Sequence, residues 1–514
     1  MEKIGDRMKI ALGVCCLAIG AFASQMPSAG GVRRTLLVHP DEFTDRWIDR
    51  AAAIGLTSLE IHPTGGTNAA ASLTALLADL ETPAFRARID RARAKGLEIG
   101  YEFHAAGWLL PRDLFGEHPE YFRMDGDGRR CRDINFCLSS AEGMDLVAKR
   151  AVELAGRLYG SSHRYFFWMD DVPDGVCHCE KCRGYSASDQ QLLFVNRVLA
   201  ELRKTIPDAR LCYLAYLGGI NPPEKVTPSE GVFLEYAPIK RDPSRPLAVQ
   251  DNADVAPLRA LVAKFGARDA RVLEYWFDNS LLSKWTKPPK RFVPPADVVR
   301  EDIAYYRALG FSDLASFACF LGDDYEKLWG EPDVTPFARG FHSSVGGFDR
   351  TDFTWTIGGG RFRFAFTVQD ATVSPVRGVK TKRDLERGDR VEVFFCPTAD
   401  MKTAYRCAEI DPLGRVLDYA CTFPRQFDYD WSFKTLDCRT ARTTDGYTVE
   451  GSVSVDELRG LGIDPAHFWF GAFRADFDEN ENLVAWYSQL PPGPGEADFH
   501  RPCMVGEVAI GRWQ

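Results

Sequence analysis

Between residues 35 and about 322 the chain alternates short, nearly continuous apolar runs with longer segments of helical period. The runs are TLLVHP (35–40), LTSLEIHP (56–63), LEIGYEFH (97–104), RYFFWMDD (164–171), ARLCYLAY (209–216), GVFLEYAP (231–238), RVLEYWFD (271–278) and DLASFACF (313–320). Near-continuous runs of this kind are how parallel strands buried on both faces read. Between them, Met144, Val147, Ala151, Leu154 and Leu158 step by three and four, as do Leu192, Val195, Leu199 and Leu202. Val255, Leu258, Leu261 and Phe265 do likewise, and so do Val299, Ile303 and Tyr306 ahead of Gly310. That spacing places each set on one helix face. Eight β–α alternations predict an α/β fold, a (β/α)8 TIM barrel over 35–335. A doubly wound open sheet is the alternative, but no glycine-rich phosphate loop follows the first strand.

After about residue 345 the pattern changes to short segments of period two, such as RFRFAFTVQD and DRVEVFFCP. Turn signals GGG (358–360), DPLG (411–414) and TDG (444–446) separate them. This predicts an all-β sandwich domain over 345–514.

A barrel of this type carries its chemistry at the C-terminal ends of its strands. Those ends are rich in acids and aromatics here: Glu60 and His62, Glu102 and His104 with Trp108 beyond, then Trp168, Asp170 and Asp171. Tyr213 and Tyr216 follow, then Glu235 and Tyr236 with Lys240 and Arg241, then Glu274, Trp276 and Asp278. One acid at a strand end usually caps a helix; carboxylates at several ends beside Tyr and Trp suit sugars. Rings stack on aromatic faces, and glycosidic cleavage needs a proton donor near the leaving oxygen and a second carboxylate near the anomeric carbon.

Just past the fourth strand, Cys177, Cys179 and Cys182 are spaced C-x-C-x-x-C. Two residues apart is a strained spacing for a disulfide. Three sulfurs in so short an arc suit a structural zinc site, with Cys137 of INFCLSS as the fourth ligand and Cys131 or His178 as alternatives. One or two disulfides across the same loops, such as Cys137 to Cys177 or Cys179 to Cys182, are the rival reading. Cys212 and Cys319 lie inside apolar runs and read as buried free thiols.

The net charge of −9 argues against nucleic acid as a partner, since phosphate binding needs basic surface. At the N-terminus, Lys3, Arg7 and Lys9 precede the apolar run IALGVCCLAIGAFA, with Ala21-Phe22-Ala23 as a small-x-small cleavage site. This reads as a signal peptide over 1–23 and predicts a secreted or periplasmic protein. No membrane span is expected after its removal.

The segments LFGEHPEYFRMDGDGRR (114–130), INFCLSS (134–140), DDVPDGVCHCEKC (170–182), SDQQLLFVNRVLAEL (188–202) and LAYLGGINPPEKV (214–226) resemble bacterial domain-of-unknown-function family 4838. That barrel family is similar to the family 20 hexosaminidases and family 67 alpha-glucuronidases. The resemblance implies a glycoside hydrolase-like barrel whose fourth strand carries the key acids. In the hexosaminidases an Asp-Glu pair stands there: the Glu is the acid, and the Asp orients a substrate acetamido group acting as nucleophile. Asp170-Asp171 occupies that place here, one methylene shorter at the acid. FAFTVQD (364–370), ERGDRVEVFFCP (386–397), AYRCAEIDPLGRVLD (404–418), DGYTVEGSVSVDEL (445–458), FGAFRADF (470–477), AWYSQL (485–490) and FHRPCMVGEVAIG (499–511) resemble carbohydrate-binding module family 9-like domains. That resemblance implies a sandwich in which aromatics grip a sugar, for which Trp431 and Trp486 are the candidates.

The expected function is therefore an exported glycoside hydrolase acting on hexosamine- or uronic-acid-containing oligo- or polysaccharides, with no cofactor required for catalysis. Asp171 is the expected general acid, Asp170 its partner, and Glu235 or Glu274 the second carboxylate. His104, Trp108, Tyr216, Tyr236 and Trp276 are expected to line the sugar site, with Lys240 and Arg241 meeting a uronate. The alternative is a glycan-binding barrel that has lost catalysis.

Overall fold

The computed structural model describes residues 32–267, 269–490 and 498–509. The expected signal peptide over 1–23 lies outside the described residues. Eight parallel strands close into a barrel: β1 (Arg33–Val38), β2 (Ser58–Ile61), β3 (Glu98–His104), β4 (Arg164–Trp168), β5 (Arg210–Ala215), β6 (Val232–Tyr236), β7 (Arg271–Glu274) and β8 (Asp313–Phe317). Each pairs with its sequence neighbour, and β1 closes on β8 with Arg33 opposite Asp313. Each of the eight apolar runs holds one strand.

The helical spacings fold as Ala141–Arg157, Ala187–Leu202, Leu258–Phe265 and Ala296–Ala308. Ser140 caps the first by accepting from the Gly143 N–H, and Ser186 with Asp189 forms a reciprocal capping box on the second. Among the described residues, no helix is long and apolar enough to cross a membrane.

Side chains alternate between the two sides of every strand. Leu37, Phe166, Trp168, Cys212, Phe233, Leu273 and Phe317 pack inside the barrel. Leu36, Phe167, Tyr213, Leu234, Val272 and Leu314 pack outward, in the core shared with the helices.

The inner half nearest the strand starts is charged. Arg271 is fully buried and engages all five of its N–H groups. Its Nε donates to Asp313 (3.0 Å), its Nη atoms to both Glu60 oxygens (2.8 and 2.9 Å), to Thr35 (3.5 Å) and to Glu102. Arg164 reaches Asp313 at 2.6 Å, and Arg33 lies 3.8 Å from the same carboxylate. Gly100 on β3 makes room for this: a Cβ there would come within 2.5 Å of the Glu60 carboxyl carbon.

Arg271 and Arg164 thus share the interior with four carboxyl groups, Glu60, Glu102, Glu235 and Asp313, while Arg33 sits at the edge, ion-paired with Glu98 at 2.7 Å. Glu102 Oε2 and Glu235 Oε1 have no hydrogen-bond partner among the described residues. Burial, then the Glu235 charge, pushes the Glu102 carboxyl well above the usual range; burial also pushes Glu235 up to about 7. One proton shared by this pair satisfies both oxygens.

A raised folded-state pKa stabilises fully below the unfolded value of 4.5, and the contribution is lost as pH rises through about 7. Glu235→Gln keeps an acceptor for Trp168 and donates toward Glu102 without a titrating proton. In urea titrations between about pH 5 and pH 8, the variant is expected to lose less stability than the wild type, by up to roughly 3 kcal/mol. Parallel pH profiles would contradict the shared proton.

From His342 onward the fold is antiparallel. Thr351–Gly358, Arg361–Gln369, Gly446–Ser454 and Asp437–Arg442 form one sheet in that order. The second runs Gln426–Asp428, Val416–Thr422, Tyr405–Ile410, Arg390–Cys396, His467–Phe477, Leu483–Ser488 and His342–Ser343. Phe362, Phe364 and Phe366 of the first sheet pack with Val391, Val393, Phe395 and Ala408 of the second, which makes this an all-β sandwich.

Candidate functional site

Three imidazoles line the C-terminal mouth of the barrel, one each after β1 and β2 and one at the end of β3. The Nδ1 of His39 is 2.8 Å from the His62 carbonyl, that of His62 is 2.8 Å from the Glu102 carbonyl, and that of His104 is 2.6 Å from the Met169 carbonyl. A carbonyl only accepts, so each Nδ1 carries a proton. Burial and the two neighbouring imidazoles hold the His62 pKa well below the usual value, so it stays neutral.

Aromatic rings join the imidazoles into one wall. His62 meets Phe317 edge-on at 5.0 Å, His104 meets Trp168 edge-on at 5.1 Å, and Tyr275 stacks on Phe317 at 5.2 Å. Trp168 also closes the floor, because its Nε1 donates to Glu235 at 2.8 Å and holds that carboxyl in the core.

The two acids after β4 have different surroundings. Asp170 accepts from Arg112 at 2.6 Å and from the Asn135 N–H at 2.5 Å, while its own N–H donates to Asn135 Oδ1 at 2.8 Å. It is a brace, ion-paired and tied to the segment before helix Ala141–Arg157. Asp171 instead accepts from the Tyr216 hydroxyl at 2.9 Å. A Cβ on Gly65 would lie 3.1 Å from the His104 ring and 3.8 Å from Asp171 Oδ2, so this glycine, the imidazole and the acid converge. A cleft beside them is lined by His104, Asn135, Asp170, Gln190, Gln191 and Tyr216.

Of the expected residues, then, Asp170, Asp171, His104 and Tyr216 meet at the mouth. Others do not. Glu235 lies one layer below, under Trp168. Glu274 faces the helices, bonded to Arg241 (3.0 Å) and to the Tyr306 hydroxyl (2.5 Å). Trp276 donates to Asp302 at 3.0 Å, Arg241 pairs with that same carboxylate at 2.6 Å, and Tyr236 donates to the Asp254 carbonyl at 2.8 Å. All four are buried; Tyr236, Glu274 and Trp276 point outward by the alternation of their strands, and Arg241 reaches the same layer from the loop after β6. Trp108 is buried there too, beneath the Arg150 guanidinium at 4.3 Å. Lys240 is exposed on the loop after β6. The uronate pair expected at 240–241 is therefore split, with Arg241 consumed by two buried acids.

His39, Arg112, Asn135 and Tyr275 went unread. For Tyr275 the signal was present: it alternates with Leu273 and Arg271, so it faces inward wherever Arg271 does.

Behind Asp170, the Sγ atoms of Cys137, Cys177, Cys179 and Cys182 lie within 4.8 Å of one another, and all four residues are buried. Cys212 and Cys319 are buried free thiols in the barrel interior. In the sandwich, Trp431 packs on Phe433 (4.7 Å) and under Arg406 (4.9 Å), on the side of the larger sheet that faces the other sheet. Trp486 packs on Phe499 (4.9 Å) with the cluster on the opposite side. They do not form one sugar platform.

Residues 76–316 match the family model described as Domain of unknown function (DUF4838). All the segments that carry the barrel resemblance fall inside that span. No curated protein matches the chain. Among solved structures, a carbohydrate binding module family 9 from Caldicellulosiruptor kristjanssonii in complex with glucose is similar over 31% of this chain and 76% of its own, at 19% identity and a TM-score of 0.22. The beta-galactosidase from the psychrophilic Marinomonas ef1 is similar over 56% of this chain and 54% of its own, at 14% identity and a TM-score of 0.34. The GH20 catalytic modules of the pneumococcal exo-beta-D-N-acetylglucosaminidase are similar over 60% of this chain and 83% of theirs, at 12% identity and a TM-score of 0.33. None of these likenesses bears on chemistry.

Proposed function

We propose that this is an exported carbohydrate-active protein whose barrel mouth takes a hexosamine-containing glycan and hydrolyses it with Asp171 as general acid. The observation that carries the reading is Asp171 itself: a carboxyl at the mouth, bonded to Tyr216, beside a wall of imidazoles and aromatic faces. The Nε2 lone pair of neutral His62 suits a sugar hydroxyl as donor, the His39 and His104 rings add polar nitrogens beside it, and Trp168, Tyr275 and Phe317 suit the apolar faces of a pyranose ring. Trp285, 65% exposed on the loop after β7, offers a further stacking face at the same end of the barrel.

Hexosamine fits better than uronic acid because Arg241 is buried against Glu274 and Asp302. It also answers the want of a second carboxylate, since Glu235 and Glu274 face elsewhere. The 2-acetamido oxygen of the substrate attacks the anomeric carbon as the glycosidic C–O bond breaks, and Asp171 gives its proton to the leaving oxygen. Water then opens the cyclic intermediate, returning the acetamido group and giving a proton back to the Asp171 carboxylate. Asp170, fixed by Arg112 and Asn135, positions the loop that carries Asp171.

The second reading is a glycan-binding barrel without turnover. It is favoured by the acid one methylene shorter than Glu and by the two expected partner carboxylates lying outside the mouth. Assay of the secreted protein on aryl N-acetylhexosaminides and aryl uronides separates the two. Turnover of the hexosaminides, lost in Asp171→Asn, is the expected result; binding without turnover by the wild type would establish the second reading.

A further inference from the structure

Four sulfurs from two separate segments meet behind the barrel mouth. Cys137 comes from the stretch before helix Ala141–Arg157, and Cys177, Cys179 and Cys182 from the loop between β4 and helix Ala187–Leu202. Each cysteine is at most 6% exposed. We propose that these four cysteines hold one zinc ion as a closed tetrathiolate site, and that this ion fixes the segment that positions Asp170.

The distances decide between metal and disulfide. A disulfide needs its sulfurs about 2.05 Å apart. Zinc–sulfur bonds of about 2.3 Å in a tetrahedron put the sulfurs about 3.8 Å apart. The Cys137 and Cys179 sulfurs are 3.7 Å apart, and all four lie within 4.8 Å of one another. That is the size of a thiolate tetrahedron. A set of two disulfides would collapse two of its edges and push the pairs apart.

The surroundings supply donors for charged sulfur. The Met124 N–H points at Cys177 Sγ at 3.3 Å. The Ser139 hydroxyl is 3.2 Å from Cys137 Sγ and 3.3 Å from Cys179 Sγ. The Arg130 guanidinium is bonded to Cys137 and feels the charge of Cys177 and Cys179. Zinc with four thiolates keeps two net negative charges, and these N–H, O–H and cationic groups offset them. Backbone turns hold the spacing: the Cys182 and Arg183 N–H groups both donate to the Cys179 carbonyl at 2.9 Å.

The consequence reaches the mouth through Asn135, two residues before Cys137. Asn135 exchanges two hydrogen bonds with Asp170 and donates from its side chain to the Gly175 carbonyl at 2.9 Å. Gln190 clamps the other side, accepting from the Cys177 N–H (2.9 Å) and donating to the Cys177 and Cys182 carbonyls (3.1 and 3.2 Å). Four protein ligands leave no coordination place for water, so the ion is structural. The inference stands whether or not the barrel hydrolyses a glycan.

The test uses the whole protein. Elemental analysis after dialysis against metal-free buffer is expected to give one zinc per chain. A thiol-specific mercurial should release it in step with four titrated thiols. Exchange for cobalt should produce the intense visible bands and the sulfur-to-metal charge transfer of a tetrahedral thiolate site. Cys182→Ser should lower the retained metal at least tenfold; where it fails to fold, the cobalt spectrum of the wild type decides. Less than a tenth of a metal ion per chain, a cobalt spectrum without thiolate bands, or disulfide-linked peptides joining these cysteines would overturn the proposal.

Discussion

Arg271→Met is expected to destabilise the barrel by about 3–5 kcal/mol, the cost of removing one partner from a buried ionic cluster. Methionine keeps most of the side-chain volume and the packing on Phe166, over which the guanidinium lies at 4.5 Å. What it removes is charge. Glu60, Glu102 and Asp313 would remain in the interior with Arg164 and Arg33 at its edge. The pH dependence should reverse for Glu60. In the wild type, the Arg271 charge and hydrogen bonds outweigh burial and hold the Glu60 pKa far below its usual value, so this acid stabilises above pH 4.5 and loses that contribution only in strong acid. Without Arg271, burial outweighs the remaining Ser58 hydrogen bond and the Arg33 charge and raises the Glu60 pKa. The variant should therefore be weakest at neutral and alkaline pH and recover part of the loss near pH 4. A second change, Glu60→Met, should restore part of the stability at neutral pH, because the two effects are coupled through one ion pair. Urea midpoints across pH for the single and double variants check this. A loss below about 1 kcal/mol for Arg271→Met would contradict the ionic account of the interior.

The strands were legible because both of their faces are apolar, and the same property hid which residues face inward. RVLEYWFD reads as a strand in either phase. One phase puts Glu274 and Trp276 at the mouth; the phase set by Arg271 sends them to the helices and turns Tyr275 inward. Tyr236 fell to the same ambiguity on β6. Asp170 and Asp171 escaped it because they follow the end of β4, where the chain is no longer extended and neighbouring residues can serve one place. Arg112 and Asn135 lie 58 and 35 residues before Asp170, and nothing local marks them as its partners. The cysteines were legible as a group because their spacing is short; the companion, Cys137, is brought to them by the loop that also carries Asn135. Trp431 lies in the loop between Gln426–Asp428 and Asp437–Arg442, and Trp486 within Leu483–Ser488, so no shared period in the sequence tells that they pack on opposite sides of one sheet.

Asp171→Asn is expected to lower kcat/KM on aryl N-acetylhexosaminides with poor leaving groups by about 100- to 10,000-fold, the usual reach of a general acid. The loss should shrink as the leaving group improves. A dinitrophenolate departs without a proton, so on that glycoside the variant should keep most of the wild-type rate for bond cleavage. KM should change little, since asparagine still accepts from Tyr216. Asp170→Asn should behave differently. It weakens the pair with Arg112, loosens the loop and lowers rates evenly across leaving groups. An equal loss at Asp171 for every leaving group would assign it to positioning rather than proton transfer.

The claim that the barrel mouth is the glycan site is tested most directly by affinity. Binding of N-acetylhexosamine oligomers can be measured by calorimetry on Asp171→Asn, alone and combined with Tyr275→Ala and His62→Ala, each checked for native circular dichroism. The account predicts that Asp171→Asn binds as tightly as the wild type and that each added change weakens binding at least tenfold. Affinity unchanged by both additions, or no binding of any such oligomer, would contradict it.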